Sequence, residues 1–175
     1  KVMRASVTTA SGKRTLCNTE GLYLEQKSNY FVALAYALAM DAGKPYTGGA
    51  FKADMRWETL DPQALAKQAV DDALSYVGAQ QIPSGKYRAV FRNDVVCALM
   101  STFCSVFSAE AAQKGLSLFA GKEGTQVASE RVTLVDDPHA KGVIGARAFD
   151  GEGVPTRRKN IIENGTLGTL LHNLK

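Results

Sequence analysis

The sequence has few of the residues that bind metals or form disulfides. It contains only two histidines and three cysteines in 175 residues, and no two cysteines are spaced as a CxxC pair. If Cys97 and Cys104 share a helix, they lie ~10.5 Å apart along its axis, which is too far for a disulfide. We therefore expect reduced, buried thiols, as in a cytoplasmic protein.

Long apolar runs and concentrated charge are also missing. No apolar run approaches the ~20 residues of a membrane-spanning helix, and the basic first residue is not followed by the apolar segment of a signal peptide. The net charge is +4, and the basic residues are dispersed except for residues 157–159. A membrane protein is therefore not indicated, and a dedicated nucleic-acid binder is not favoured. We interpret residues 1–175 as a single cytoplasmic globular domain.

Compact catalytic motifs are absent from the sequence. There is no GxSxG segment, and Gly151 and Gly153 are followed by Pro155 and a hairpin rather than by the helix of a phosphate loop. A helix-borne zinc site needs two histidines about one turn apart, whereas His139 and His172 lie far apart in the chain. A long-range metal site at these two histidines stays open as an alternative. The acids that could complete it are Asp136, Asp137, Asp150 and Glu152.

The first half of the chain is patterned as a long hairpin. Large and small residues alternate strictly over residues 30–40, which predicts a strand despite the helix propensity of the alanines. A turn at residues 41–43 returns the chain along residues 51–57. In this second strand, the side that carries Phe51 is apolar and is expected to be buried, while the other side is solvated.

Shorter hairpins are predicted near both ends of the chain. Residues 1–17 are interpreted as two strands joined by a turn at residues 10–12, where a glycine can supply the turn geometry. Near the other end, Asn164-Gly165 is the strongest hairpin signal in the sequence. A two-residue turn there predicts strands that continue outward through a pair of Arg158 with Leu171 to a pair of Arg157 with His172.

Two helices and two further strands complete the pattern. Asp61 is suited to cap the start of the first helix, and Gly78 lies past its end. The second helix begins near residue 94 and is apolar almost all round, so it is expected to be deeply buried. Residues 86–91 and 131–137 are predicted as strands. The sequence therefore predicts an α+β fold with a largely antiparallel sheet, long hairpins and two or three packed helices.

Five segments of the sequence carry a more specific signal. They are NTEGL at 18–22, GKEGTQVAS at 121–129, LVDDP at 134–138, ARAFDGEGVPTRR at 146–158 and IENGTLGTLLHN at 162–173. Together they resemble the TldD/PmbA family of bacterial and archaeal metallopeptidase subunits. In the TldD branch an HExxxH motif supplies the metal ligands, whereas the helix that aligns with it here contains no histidine. The chain therefore resembles an internal fragment of a protein of the PmbA/TldE branch, which lacks that motif.

The resemblance implies a two-subunit cytoplasmic peptidase that acts on unfolded peptides. This chain would be a non-catalytic subunit without catalytic residues, metal ligands or a cofactor of its own, and zinc is expected only in a TldD-like partner. That partner, or a second copy of this chain, is expected to bind it, together with a peptide substrate. Two alternatives remain. One is a metallopeptidase in its own right with an unconventional metal site, and the other is a DNA gyrase modulator or nucleic-acid-associated protein, as an older family label implies.

The acidic, glycine-rich segment at residues 149–156, which we name the acidic loop, has two interpretations. It either lines the peptide cleft between subunits or forms a rigid corner between strands. Its glycines permit unusual backbone conformations, and its two acids are expected to accept hydrogen bonds from neighbouring amides. If the loop lines the cleft, the candidate residues there are Asp150, Glu152, Gly153, Thr156 and His172.

Overall fold

The computed structural model describes residues 1–174, which form two compact units. The first unit contains Lys1–Ser84 and Ala140–Ala146, and the second contains Gly85–His139 and the residues from Arg147 onward. The sequence predicts one domain over this range, whereas the structure divides it into these two units. Both sheets are antiparallel and helices accompany them, which confirms the predicted α+β class. Within residues 1–174, no helix is both long and apolar enough to cross a bilayer.

The first unit is built on a three-stranded antiparallel sheet. Its strands, in spatial order, are β1 (Val2–Cys17), β2 (Tyr23–Asp41) and β3 (Lys44–Asp54). The strand predicted at residues 30–40 is confirmed as part of β2, and Ala42 and Gly43, with φ of 46° and 79°, form the tight turn to β3. The hairpin predicted within residues 1–17 is wrong. Gly12 lies inside β1 opposite Ser28, because the whole segment pairs with β2.

Helix α1 (Pro62–Ser75) packs on this sheet through its smallest residues. The carboxylate of Asp61 accepts hydrogen bonds from the backbone nitrogens of Gln63 and Ala64, both at 3.0 Å, so the predicted helix start is confirmed. Ala69 and Ala73 are each 1% exposed and form a core cluster with Ala37 and Ala50 of the sheet.

The face of β3 that the helix covers is the opposite of the one predicted. Phe51 is 64% exposed, whereas Gly48, Ala50 and Asp54 are buried. The reason is the closeness of the helix, since a Cβ atom on Gly48 would lie 2.0 Å from the backbone nitrogen of Ala73. Only small side chains fit at this distance, so the larger residues of the alternating pattern lie on the other face.

A buried aspartate fixes the exit from β3. Asp54 is 7% exposed, and its Oδ1 accepts hydrogen bonds from the backbone nitrogens of Met55 (2.7 Å) and Arg56 (3.0 Å). The bond from Arg56 contributes most to holding the pKa of the Asp54 carboxyl below its usual value, and the bond from Met55 acts in the same direction. A 3-10 helix, Trp57–Thr59, follows directly, and its tryptophan ring packs edge-on against Phe31 with centroids 5.1 Å apart.

The second unit contains two α-helices and a small antiparallel sheet. The helices are α2 (Asn93–Phe103) and α3 (Ala109–Gln113), with a 3-10 helix, Cys104–Phe107, between them. The strands, in spatial order, are β4 (Leu134–Asp136), β5 (Lys159–Glu163) and β6 (Thr166–Leu167). The core of this unit consists of Phe107, Ala109, Ile161, Ile162, Leu167 and Leu170.

Two predictions for the second unit are wrong. Residues 86–91 form no strand in the structure, and α2 contains no buried residue although deep burial was expected. Phe103 at its end is 62% exposed. The apolar composition of a helix indicates that it packs against other residues, but it does not indicate which segment supplies them. Here the core forms immediately after α2, where Phe107 and Ala109 pack on β5 and β6.

The hairpin at Asn164-Gly165 is confirmed, although it is shorter than predicted. Both turn residues have left-handed backbone conformations, with φ of 47° and 81°, and Ile162 pairs with Leu167. The predicted pairs of Arg158 with Leu171 and of Arg157 with His172 are wrong. After β6 the chain leaves the hairpin, and the backbone nitrogen of Leu171 donates to the carbonyl oxygen of Phe107 at 2.7 Å.

Candidate functional site

The acidic loop folds back on itself as a closed turn. Phe149 and Pro155 form an antiparallel bridge, and the backbone nitrogen of Asp150 donates to the carbonyl oxygen of Val154 at 3.0 Å. The nitrogen of Thr156 donates to the carbonyl oxygen of Ala148 at 3.1 Å. Phe149 is 4% exposed, so the base of the loop is anchored in the protein interior.

The carboxylate of Asp150 is used inside the loop. Its Oδ1 accepts hydrogen bonds from the backbone nitrogens of Glu152 (2.8 Å) and Val154 (2.9 Å). Gly153 has a φ of 86°, a left-handed conformation that few other residues adopt, and it directs Val154 back toward this carboxylate. Asp150 and Gly153 therefore shape the backbone of the loop.

Glu152 fastens the end of the described chain to the acidic loop. Its Oε2 accepts a hydrogen bond from the backbone nitrogen of Leu174 at 2.9 Å. Nearby in the sequence, Asn173 donates to a carboxylate oxygen of Glu110 at 3.4 Å. Two carboxylates thus hold the segment that follows β6. Sequence reasoning missed this role, because no local pattern links residues so far apart in the chain.

Thr156 and His139 close the base of the acidic loop. The Thr156 hydroxyl donates to the carbonyl oxygen of Arg147, and His139 Nε2 lies 3.0 Å from the carbonyl oxygen of Thr156. Asp137 accepts a hydrogen bond from the backbone nitrogen of His139 at 3.0 Å, and its other carboxylate oxygen lies 3.6 Å from Nε of Arg158. These contacts give Thr156 a structural place in the loop.

The two histidines and three cysteines do not form a metal cluster in the described part of the chain. His172 is exposed, as is His139, and no group of three or more His, Cys, Asp or Glu residues within residues 1–174 could hold a metal ion. Cys17, Cys97 and Cys104 are free thiols, but all three are exposed, so the expectation that they are buried is wrong. The structure brings four of the five cleft candidates into the acidic loop, and His172 lies outside it, after β6.

Comparison with known families identifies what these elements belong to. Residues 1–76 match the PmbA/TldA metallopeptidase central domain, and residues 84–175 match the C-terminal domain of the same family. This chain belongs to the PmbA/TldD metallopeptidase family. The two matches divide the sequence close to residue 84, where the first segment of the first compact unit ends.

Individual relatives agree with this assignment. Metalloprotease MJ0996 of Methanocaldococcus jannaschii is 28% identical over 176 residues, which cover 99% of this chain and 39% of the relative. The metalloprotease TldD homolog of Haemophilus influenzae is 32% identical over 140 residues, covering 73% of this chain and 27% of the relative. The chain thus spans well under half the length of these relatives.

Solved structures share the fold over nearly the whole chain. A protein from Thermotoga maritima, described as a candidate modulator of a DNA gyrase, superimposes with a TM-score of 0.93 at 37% identity, covering 99% of this chain and 41% of that one. TldE from Thermococcus kodakarensis superimposes with a TM-score of 0.80 at 25% identity, covering 95% and 38%. Both the sheet of the first unit and the second unit, which contains the acidic loop, therefore have counterparts in solved structures.

Proposed function

We propose that this chain is part of a non-catalytic, PmbA/TldE-type subunit of a cytoplasmic two-subunit metallopeptidase that acts on unfolded peptides. The observation that carries the proposal is the composition of α2, the helix that the family resemblance equates with the metal-binding helix of TldD-type chains. Its sequence, NDVVCALMSTF, contains neither histidine nor glutamate. Since a zinc site on one helix needs two imidazoles and a carboxylate, α2 cannot form one.

The bonding of the acidic loop supports the same proposal. Both acids of the loop use one carboxylate oxygen to hold backbone. Oδ1 of Asp150 accepts two backbone hydrogen bonds, and Oε2 of Glu152 accepts one from Leu174, which are shaping roles rather than catalytic ones. We propose that the loop is a rigid wall of the peptide cleft, in which Asp150, Glu152, Gly153 and Thr156 maintain its shape. His172 is exposed, as is Glu152, and it is the candidate outside the loop that we propose contacts a peptide directly.

The exposed apolar face of α2 supports association with another chain. Val96, Leu99 and Phe103 are 44%, 44% and 62% exposed, and a soluble protein rarely leaves such a helix uncovered. The partner we propose is a TldD-type chain that carries the zinc, with self-association of this chain as the other possibility. The matched Haemophilus influenzae relative is named a metalloprotease TldD homolog, so the family contains chains of the required kind.

A cleavage assay with separate and mixed chains tests this function. Three samples are compared on one unfolded peptide: this chain, a TldD-type chain that contains HExxxH, and an equimolar mixture. We expect cleavage by the mixture to exceed that of either chain alone. In this chain, His139→Ala and His172→Ala should each leave the zinc content unchanged. Cleavage by this chain alone that is abolished by His139→Ala would contradict the proposal and favour a metal site of its own.

The nucleic-acid alternative has less support from the contacts of the basic triplet. The Thermotoga maritima structure is described as a candidate gyrase modulator, which is the reason to consider this alternative. However, Lys159 pairs with Asp136 at 3.2 Å, and Arg158 lies 3.6 Å from Asp137. Two of the three basic side chains therefore have carboxylate partners, which reduces the positive charge that this surface offers to phosphates. A titration with duplex DNA over a range of salt concentrations would detect such binding, since phosphate contacts give a steep salt dependence.

A further inference from the structure

The sheet of the first unit continues beyond β3 as a two-stranded ribbon. Residues 9–17 of β1 pair with residues 23–31 of β2, whereas β3 ends at Asp54, opposite Phe31. At ~3.4 Å per residue, the ribbon extends for ~27 Å. An isolated two-stranded ribbon is marginally stable in water, so its persistence requires support from other parts of the unit.

Contacts at the tip and along one face provide that support. At the tip, Oδ1 of Asn18 accepts hydrogen bonds from the backbone nitrogens of Glu20 and Leu22, both at 3.0 Å. Along one face, Nε2 of Gln26 donates to the carbonyl oxygen of Ala146 at 2.8 Å. Because side chains alternate between the faces of a strand, odd-numbered residues of β2 lie on the other face of the ribbon. That other face is the one that α1 covers further along the sheet.

An unfavourable pair of charges lies on this second face. Lys13 is directly opposite Lys27, and like charges at opposite positions destabilise a sheet. Lys13 forms a diagonal ion pair with Glu25 at 2.5 Å. Among residues 1–174, no carboxylate forms an ion pair with Lys27. The pair therefore leaves one positive charge uncompensated at the middle of the ribbon.

Two hollows meet beside this pair. One, of about 380 Å³, is lined by Lys13 and Lys27 and extends to Ser11 and Asn29. The other, of about 280 Å³, shares Ser11 and Asn29 and continues to Trp57, which is 53% exposed. Together they form a shallow groove with cations at one end, a hydroxyl and an amide in the middle, and an aromatic ring at the other end. We name it the ribbon groove.

Asn29 and Asp54 hold the aromatic end of the ribbon groove in place. Nδ2 of Asn29 donates to the carbonyl oxygen of Met55 at 3.0 Å, which ties the ribbon to the segment that carries Trp57. The hydrogen bonds of Asp54 fix the same segment from the other side. The aromatic end of the groove is therefore preformed, and a ligand would not need to order that end on binding.

We propose that the ribbon groove binds a carboxylate-bearing peptide segment. The carboxylate, from an acidic side chain or a C-terminus, pairs with Lys27 and Lys13, and an apolar side chain of the same peptide packs on Trp57. The choice of a peptide rests on the proposed function. Charge argues against nucleic acid, since residues 9–31 contain three basic and two acidic residues, a net charge of only +1. Affinity for a phosphate backbone requires several such contacts.

Fluorescence anisotropy on this chain alone tests the inference. Four labelled probes are compared: a decapeptide with acidic side chains and an amidated C-terminus, its amide-substituted equivalent with Asn and Gln, that neutral peptide with a free C-terminal carboxylate, and a single-stranded oligonucleotide. We expect at least one carboxylate-bearing peptide to bind more tightly than the neutral one. Lys27→Gln should weaken that binding by roughly 2- to 5-fold, since the lost contact is an exposed charge pair.

Lys44→Gln is the matched control. Lys44 is an exposed lysine in the same sheet, at the β2–β3 turn, away from the groove. It should leave affinity unchanged, and thermal melts should show that both variants fold. Equal effects of the two variants, or equal affinity for the neutral amidated peptide and both carboxylate-bearing peptides, would overturn the inference. So would tighter binding of the oligonucleotide that depends on Lys27.

The result is separable from the proposed function. Peptide binding that depends on Lys27, together with no gain of cleavage on mixing with a TldD-type chain, would keep the ribbon groove and overturn the subunit role. A gain of cleavage on mixing, without peptide binding that depends on Lys27, would keep the subunit role and overturn the ribbon groove as a peptide site.

Discussion

At the scale of single residues, Gly165 lies where both backbone conformation and space require glycine. Its φ is 81°, and a Cβ atom there would lie 2.2 Å from Nε2 of Gln126 and 2.4 Å from the carbonyl oxygen of Ala128. Its own nitrogen and oxygen also hydrogen-bond Val132 and Val127. The hairpin turn is therefore surrounded by backbone that cannot move aside as a flexible side chain could.

We predict that Gly165→Ala lowers the free energy of unfolding by roughly 2 kcal/mol or more, through left-handed strain and the steric clash together. Gly151→Ala in the acidic loop is the control. Gly151 has no heavy atom within 4 Å of its added Cβ and no left-handed φ, so its change should stay within ~0.5 kcal/mol. Thermal or denaturant unfolding of the two variants measures both values. If Gly151→Ala destabilised the protein more than Gly165→Ala, the acidic loop would tolerate substitution less well than the hairpin turn.

Asp54 gives the first unit a specific dependence on pH. Its folded-state pKa is lowered, chiefly by the backbone hydrogen bond from Arg56. The stabilisation is therefore present above the unfolded-state pKa of about 3.9 and is lost as the pH falls through the lower folded-state pKa. We predict that the difference in Tm between the natural protein and Asp54→Asn narrows as the pH is lowered below about 4.

Melting curves at a series of pH values measure this difference. Asp41→Asn, in the exposed β2–β3 turn, removes the same charge without these hydrogen bonds and controls for net charge. A difference for Asp54→Asn that widens toward acid pH would show that its carboxylate does not stabilise the fold.

At the scale of secondary-structure elements, the contact of α1 with β3 is set by the absence of side chains. The distance of 2.0 Å between a Cβ placed on Gly48 and the nitrogen of Ala73 leaves no room for even a methyl group. Asp72 adds a polar contact, since its Oδ2 accepts a hydrogen bond from the nitrogen of Gly49 at 3.1 Å. The missing side chain at Gly48 therefore lets the helix lie close to the sheet, and the hydrogen bond to Asp72 fixes its position along the sheet.

We predict that Gly48→Ala destabilises the protein by roughly 1–3 kcal/mol or more, because the helix must move away from the sheet and separate Ala69 and Ala73 from their contacts. Gly12→Ala is the control in β1, where a Cβ meets no atom within 4 Å. It should be neutral or slightly stabilising, since alanine restricts the unfolded chain more than glycine does. Equal melting temperatures for the two variants would contradict the close packing of α1.

Local signals in the sequence predict some elements well and others poorly. Asp61 and the Asn164-Gly165 pair act through their own neighbours, so the start of α1 and the tip of the hairpin are predictable. The alternation in β2 is also local. It does not say which face is covered, and the position of α1 over the small residues decides that only in the folded unit.

Other elements depend on partners far along the chain. Gly12 is an ordinary turn residue in sequence terms, yet β1 continues through it because β2 pairs with the whole segment. Likewise, the candidate site is only partly predictable. The aspartate and glycines of the acidic loop indicate a turn, whereas the bond from Leu174 to Glu152 depends on where the chain goes after β6.

At the scale of the whole molecule, the two compact units follow two successive domains of one metallopeptidase family, except that Ala140–Ala146 of the first unit lie within the C-terminal-domain match. Each carries surface that its own core does not use. In the second unit this is the apolar face of α2, and in the first it is the ribbon groove. A subunit whose role is to bind a partner and a peptide would present both kinds of surface, which is the role proposed above.

The most direct measurement of that role is the zinc content of this purified chain by elemental analysis, after incubation with zinc and removal of loosely bound ions. We expect no stoichiometric zinc, because α2 lacks the ligands and no other described cluster supplies them. A TldD-type chain treated in parallel should retain its zinc. About one zinc ion per molecule of this chain, lost on His139→Ala or His172→Ala, would contradict the non-catalytic role and identify a metal site of its own.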